Sequence, residues 1–553
     1  MDAGPTSQPE DPALAAPGSA GTSAHAAATS RALAAAVRAV SGVTLLSRVG
    51  GLARDVLVAR LFGDTALGSA FSAGFAIPNL FRRLLGEGAL SAAFIPEYAQ
   101  AQKESREAAD RFSSRTILWL GVVTGLLTVI SELALLGILL LAPGDADRQM
   151  SLRLIMIMLP FMPFICVTAL LGGMLQIHGK FGPAASGPLL LNGFIIVVGL
   201  WHVLRGETGS PRVAEALGVA TALSGITQAM TFAWLLRGRA SWRTDWQAER
   251  PRARRMWTKM LPALIGLGTL QLNTFLDQVI AMWPVWVGPL FLGFKYPLDE
   301  SSNILIASAQ RLYQFPLGVF GIAVATAVFP LLSRHADAPG PFGDALRRGL
   351  SLSFFIGFPA SVGLILVNHD LVAALYGAGR HSGGGFSAEG VARTSAVLSG
   401  FAPAIWAYSV NHVFTRAFYA KGDTRTPMYV AMAMVGLNLC MNLTLIWWLR
   451  EAGLAWATSV CAMLQSVILG LLCRRHVHTD CIDRGVVISI GKTLLVSAVM
   501  AAAVVSAMYF MHRPERWLDH VVRAAVGASV GVLVYVGAAF AFKIKELRWL
   551  VRR

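Results

Sequence analysis

Charge is the scarcest thing in this chain. Only 14% of its 553 residues are charged while 55% are hydrophobic, whereas a soluble domain carries about 25% charged residues. That shortage excludes an ordinary water-soluble globule. Cysteine is scarce as well, and the five present (Cys166, Cys440, Cys461, Cys473 and Cys481) show no CxxC spacing. Neither a zinc knuckle nor a disulfide framework is written in them, and we read them as reduced and structural. A secretory leader is also missing. Residues 1–30 are rich in Ala, Ser, Pro and Gly, carry Asp2, Glu10 and Asp11, and place no basic segment ahead of an apolar one, so they read as a disordered cytoplasmic tail. Catalytic constellations are lacking too. Gly485 with Gly491-Lys492-Thr493 has five intervening residues where a phosphate-binding loop needs four, and it leads into an apolar helix. His369-Asp370 and His412 have no Ser or Cys partner at a recognisable spacing. The chain is not expected to be an enzyme.

What is present is a series of apolar windows near 34–62, 66–96, 116–142, 152–177, 184–204, 213–236, 258–288, 303–333, 351–376, 393–415, 428–449, 452–473, 487–511 and 520–542. Each is long enough to cross a bilayer, which takes about 20 residues. The expected fold is therefore an all-α integral membrane protein with about 14 transmembrane helices. The formal charge of +16 could suggest nucleic acid, but the basic residues fall mostly between apolar windows. With the N-terminus inside, Lys and Arg favour the cytoplasmic loops roughly three to one, the signature of positive-inside topology with both termini cytoplasmic.

A weak repeat divides the chain. The second window ends in Ala-Ala-Phe-Ile-Pro (92–96) and the eighth in Thr-Ala-Val-Phe-Pro (326–330). Each has an earlier proline, Pro78 or Pro316, and an arginine, Arg82 or Arg311. Repeats of one orientation relate the halves of some transporters, with the substrate site between them. The expected organisation is a tail (1–30), an N-terminal lobe (31–237), a basic cytoplasmic linker (238–257), a C-terminal lobe (258–476), two further helices (487–542) and a basic tail (543–553).

The first two windows contain charges where a membrane helix should have none: Arg48, Arg54 and Asp55 in one, Arg82, Arg83 and Glu87 in the other. An arginine at the bilayer centre costs about 2.5–3.5 kcal/mol on insertion scales, so such residues face a bundle interior or a wet cavity. Arg48 and Arg82 lie near mid-span, and Ser47/Arg54 and Arg48/Asp55 are each seven apart, on shared helix faces. Arg38, Arg60 and Arg83 fit snorkelling or structural pairing. Asp55 and Glu87 offset part of the positive charge. The remainder favours a multivalent anion, and arginine suits phosphate because its planar guanidinium donates two parallel hydrogen bonds.

The block Ser47-Arg48-Val49-Gly50-Gly51-Leu52-Ala53-Arg54-Asp55, followed by Pro78-Asn79-Leu80-Phe81-Arg82-Arg83 and Gly86-Glu87-Gly88-Ala89-Leu90-Ser91, resembles the MurJ (MviN) lipid II flippase family. So do Gln310 to Val319 and Phe418 to Pro427. The resemblance runs from about residue 35 to the C-terminus. It implies two lobes around a central cationic cavity, in a superfamily shared with multidrug and polysaccharide exporters. It also implies a C-terminal helix pair forming a lipid groove, and export of an undecaprenyl-diphosphate-linked precursor across the bacterial inner membrane for peptidoglycan synthesis. By this resemblance Ser47, Arg48, Arg54, Asp55, Asn79, Arg82 and Arg311 line or support the substrate cavity. Contacts with cell wall synthesis or division proteins are implied, and no nucleic acid. Ser69, Ala76, Gln310 and Gln314 stand where some members carry an acid, a lysine and two acids.

A second polar set is Asp277, Asn438, Asn442 and Thr458, whose oxygens fall at similar depth. Two readings stay open. A hard cation such as Na⁺ needs several oxygen ligands including a carboxylate, and the positions match a sodium site of the family, with Asn442 in place of an acid. Alternatively these residues hydrogen-bond between helices. Competing functions are an exporter of another undecaprenyl-linked glycan, a multidrug antiporter, and a membrane glycosyl- or phosphotransferase. An antiporter would present buried acids rather than arginines, and a transferase would need a carboxylate or histidine cluster, usually on a sizeable loop.

Overall fold

The computed structural model describes residues 42–84, 90–377, 384–476 and 481–551. The tail expected over 1–30 and Glu87 lie outside them. Helices dominate, in chain order α1 (42–62), α2 (Ala66–Phe81), α3 (Leu90–Glu104), α4 (Arg106–Leu141), α5 (Ala146–Met158), α6 (Phe161–Ile177), α7 (Phe181–Ala184), α8 (Gly187–Leu204) and α9 (Pro211–Leu235). They continue as α10 (Arg250–Trp286), α11 (Ser302–Pro316), α12 (Ile322–Arg334), α13 (Pro339–Tyr376), α14 (Ala388–Phe401), α15 (Ala404–Ala420), α16 (Arg425–Leu449), α17 (Glu451–His476), α18 (Arg484–Phe510), α19 (Trp517–Ala541) and α20 (Lys545–Val551). A short antiparallel pair, β1 (Leu290–Phe291) and β2 (Phe294–Lys295), caps the turn after α10.

Lipid supplies no hydrogen bonds, so a chain this apolar must satisfy its backbone internally. Helices do so along their length, and some of their starts are closed by polar caps. Thr65, Ser105, Asp145, Ser387 and Asp483 each accept from a backbone N–H in the first turn. Among the described residues ten helical stretches are long and apolar enough to cross a membrane. Their outward faces stay apolar, as at Val122, Leu126, Ile130 and Leu133 of α4. All five cysteines are free thiols.

One apolar core gathers α1 to α9 around Phe94, Phe112, Met158, Phe161, Leu217 and Phe232. A second joins Leu305, Tyr313, Tyr376, Phe401 and Leu454, and a third joins Leu332, Phe342, Phe414, Phe418 and Leu469. The last two membrane helices, α18 and α19, pack on α13 through Val496, Val504 and Tyr535 against Phe355 and Val367. Helix α10 begins inside the stretch read from sequence as a linker. Its first turns bury Ala253, Met256 and Met260 in the first core, while Ile280 and Ala281 near its other end belong to the second.

The two prolines of the repeat mark equivalent breaks. Residues 82–84, just after Pro78, and Leu317–Gly321, just after Pro316, both widen to π-helical geometry. A proline removes a backbone donor and clashes with the carbonyl one turn back, and a π turn is one way to absorb the mismatch. Helices α2 and α11 also touch near their starts, well before these breaks. Asn303 Nδ2 donates to the Ser69 carbonyl at 3.0 Å, and the Ile304 amide donates to Ser69 Oγ at 3.2 Å.

Candidate functional site

Ser47, Arg48, Arg54 and Asp55 of α1, Asn79 and Arg82 at the end of α2, and Arg311 of α11 line a single cavity of about 1090 Å³. The structure therefore brings together every residue of the cationic set from three separate elements. The wall also contains Arg83, so five arginines face one carboxylate among the lining residues. Apolar walls come from Phe75, Ile165, Leu191, Leu364 and Leu371. Next to these low-dielectric walls charge interactions are stronger than in open water, and the excess of guanidinium groups favours an anion.

The arginines differ in how they are held. Arg54 is only 7% exposed, and the sequence left its partners open. It donates to Asp55 Oδ1 from Nε at 3.0 Å and Nη2 at 2.8 Å, to Asn192 Oδ1 at 3.1 Å, and lies over the Phe75 ring at 4.6 Å. Asn192 of α8 returns a bond to the Ser47 carbonyl at 3.1 Å, so one amide fixes both the arginine and its helix. The second oxygen of Asp55 receives Arg311 Nε at 3.1 Å. Asp55 thus ties α1 to α11, across the two halves. Arg82 Nε donates to Asn79 Oδ1 at 2.8 Å, one turn back on its own chain. Arg48 is half-buried and, among the described residues, makes no hydrogen bond or ion pair. Its guanidinium rests against Gly318 in the π turn, where a Cβ would meet Arg48 Cζ at 2.8 Å.

A second, smaller polar cavity of about 100 Å³ adjoins the first and shares Phe75, Asn79, Arg83, Arg311 and Gln314 with it. Ala76, Gln310 and Gln314, three of the family departures, line it, as does Asp277. Ser69, the fourth, is fully buried at the α2–α11 crossing.

In the second polar set Asp277, Asn438 and Asn442 are buried together. Asn442 Nδ2 donates to Asp277 Oδ1 at 2.5 Å and to Asn438 Oδ1 at 3.0 Å. Asn442 Oδ1 and Asn438 Nδ2 are buried without a hydrogen-bond partner. The Asn442 nitrogen, not its oxygen, faces Asp277 and Asn438; turning the amide over would bring three oxygens together, the donor type a hard cation takes. Thr458 does not complete it here, because its hydroxyl donates to the Leu454 carbonyl of its own helix at 3.0 Å.

Three cavity residues escaped sequence reasoning. Arg83 looked like a snorkelling side chain but reaches Gln271 Oε1 at 3.5 Å and faces both cavities. Asn192 and Gln228 are single polar residues in apolar helices, buried to 5% and 0% exposure. Asn192 stands alone in the apolar run 189–201 of α8, a faint signal, whereas Gln228 is one of several polar residues of α9 and carried none.

The model of the family described as lipid II flippase MurJ matches residues 58–522. The chain is 28% identical over 521 residues to a probable lipid II flippase MurJ of Rickettsia prowazekii, covering 91% of this chain and 96% of that one. It is 29% identical over 537 residues to the corresponding protein of Vibrio cholerae, covering 92% and 96%. Among solved structures, a lipid II flippase MurJ in an inward closed conformation superposes with a TM-score of 0.73 at 22% identity, covering 93% of this chain and 99% of that one. An inward-facing multidrug transporter of the MATE family gives 0.62 at 15% identity, covering 80% and 98%. With 465 residues inside the matched span, the chain belongs to the lipid II flippase MurJ family.

Proposed function

We propose that the protein moves lipid II, the undecaprenyl-diphosphate-linked peptidoglycan precursor, from the cytoplasmic to the outer leaflet of the bacterial inner membrane by alternating access. The observation that carries this reading is the cavity itself, where five arginines surround one carboxylate within an apolar bundle. A diphosphate matches that imbalance, because guanidinium groups bind phosphate oxygens in pairs. The mobile arginine would be Arg48, while Arg54 is fixed by Asp55 and Asn192. Asp55 and Arg311 would close the cavity between two lobes, 31–237 and 258–476, joined across residues 238–257. In this reading fourteen spans keep both termini cytoplasmic, α18 and α19 provide a groove for the lipid tail, and Na⁺ at Asp277, Asn438 and Asn442 couples the cycle. Cell wall synthesis or division proteins would meet it in the membrane. A drug antiporter is less well supported, since the carboxylate that an organic cation would seek is already shared by two arginines.

The test is genetic and biochemical together. In cells depleted of their own flippase, Arg48→Ala, Arg82→Ala and Arg311→Ala should each lower the appearance of precursor in the outer leaflet by at least about tenfold, or about 1.4 kcal/mol, at unchanged membrane abundance. Lysine at these positions should restore only part of it, because it keeps the charge and loses the fork geometry. Full growth and full outer-leaflet precursor with all three alanine variants would remove the assignment.

A further inference from the structure

A cluster away from the cavity carries chemistry that the proposed function does not use. His369 and Asp370 lie near the end of α13, and His520 lies in the first turn of α19. One ligand atom from each lies within 4.8 Å of the others. His520 Nδ1 is 2.7 Å from Asp370 Oδ1, and the two imidazole centroids are 5.8 Å apart. Asp370 is buried, and its other oxygen accepts from Arg523 Nε at 3.1 Å. Arg523 is itself anchored, donating to the carbonyls of Met508 and His512 at 3.1 Å each. Arg523 therefore holds one carboxylate oxygen, and the other faces His520, with a His369 ring nitrogen within 4.8 Å of the pair.

We propose that His369, Asp370 and His520 form a binding site for a borderline divalent transition ion, zinc foremost. Two imidazoles and a carboxylate are the donors such ions select, and three protein ligands with an open position for water is a common zinc arrangement. Tetrahedral ligands at zinc bond lengths of 2.0–2.1 Å stand roughly 3.3 Å apart. The His520–Asp370 pair is already closer than that, and the ion would replace the proton they share. The exposed His369 closes the remaining gap by a side-chain rotation. Arg523 then acts as the outer partner that orients a ligating carboxylate, as such partners do at metal centres. A pair built for packing alone would need His520, Asp370 and Arg523 but not a second, solvent-facing imidazole beside them. The ion would staple α13 to α19. The site does not rest on the proposed transport activity; only its access from outside the cell rests on the proposed topology.

The experiment uses the full chain, purified without a polyhistidine tag and stripped of metal by a chelator. Zn²⁺ affinity is read by competition with a chromogenic chelator, and Co²⁺ coordination by its visible absorption. One equivalent should bind, with a Co²⁺ band and a melting shift that Mg²⁺ does not reproduce. His369→Ala should weaken binding by at least about tenfold and abolish the shift, with metal-free melting unchanged because His369 makes no hydrogen bond among the described residues. His520→Ala should also lose the ion if it folds, and His369→Ala decides the matter if it does not. No binding by the parent protein, or the same affinity in His369→Ala, would overturn the proposal.

Discussion

Gly318 decides where Arg48 can go. The guanidinium occupies the space a side chain would need, and the nearest atoms are the far end of a flexible arginine rather than backbone. Gly318→Ala should therefore fold with little change in stability, within about 1 kcal/mol, yet displace Arg48 and lower outer-leaflet precursor toward the level of Arg48→Ala. A melting curve beside the complementation assay separates the two effects, and normal transport with alanine present would show that Arg48 works from elsewhere. The sequence exposed the arginines because charge in an apolar window is conspicuous. It could not expose this contact, nor the bond from Arg54 to Asn192, since both join residues far apart in the chain. Glycine and asparagine are also ordinary in membrane helices.

Elements meet at polar knots that sequence periodicity does not announce. At the turn before α11, Asp299 accepts from Arg393 at 2.8 Å and from Arg450 at 2.8 Å, while Arg393 also pairs with buried Glu451. Burial alone would push the Asp299 carboxyl up, but hydrogen bonds from Arg393 and Ser301, with the nearby charges of Arg393 and Arg450, hold it well below the usual range. A folded-state value below the unfolded one, about 3.9, gives stability that is complete above that pH and lost as pH falls through the lower value. The melting temperature of the parent should thus exceed that of Asp299→Asn at pH 6–7, and the gap should narrow as the pH drops below about 4. A gap independent of pH would assign the difference to packing. The Asp277 set gives a second check at this scale. Ligand binding stabilises the state that binds it, so NaCl should raise the melting temperature beyond a KCl control, and Asp277→Asn should remove that difference. Equal effects of the two salts on the parent would leave only interhelical hydrogen bonding. Sequence spacing brought Asp277, Asn438 and Asn442 to one depth, and the structure joins them; it sends the Thr458 hydroxyl to its own helix because a buried threonine can always reach the carbonyl four residues back.

For the whole molecule, the proposed cargo moves about two negative charges outward from an electrically negative cytoplasm. A unit charge crossing 100 mV is worth about 2.3 kcal/mol, so two gain about 4–5 kcal/mol without a nucleotide. Collapsing the potential with an ionophore at fixed ATP should stop precursor from appearing outside. Continued export under that treatment, with loss on ATP depletion alone, would refute the energetic reading. Apolar length and the scarcity of charge made the helical membrane class readable from residues alone, and the prolines read there only as part of a repeat turn out to precede two π turns. The ownership of α10 was not readable, because the basic run from Arg237 to Arg255 looks like a hydrated connector. Instead α10 is one rod of 37 residues, about 55 Å long at 1.5 Å per residue; its first turns sit in the first core, and its last turns touch both sets of helices, with Ile280 and Ala281 in the second core and Trp286 donating to Ser151 of α5 at 2.9 Å. A helix pinned along its length to both sets of helices resists their drifting apart. In the proposed cycle the opening that admits a headgroup would then come from pivoting about that rod or flexing it, so that access at one face goes with closure at the other.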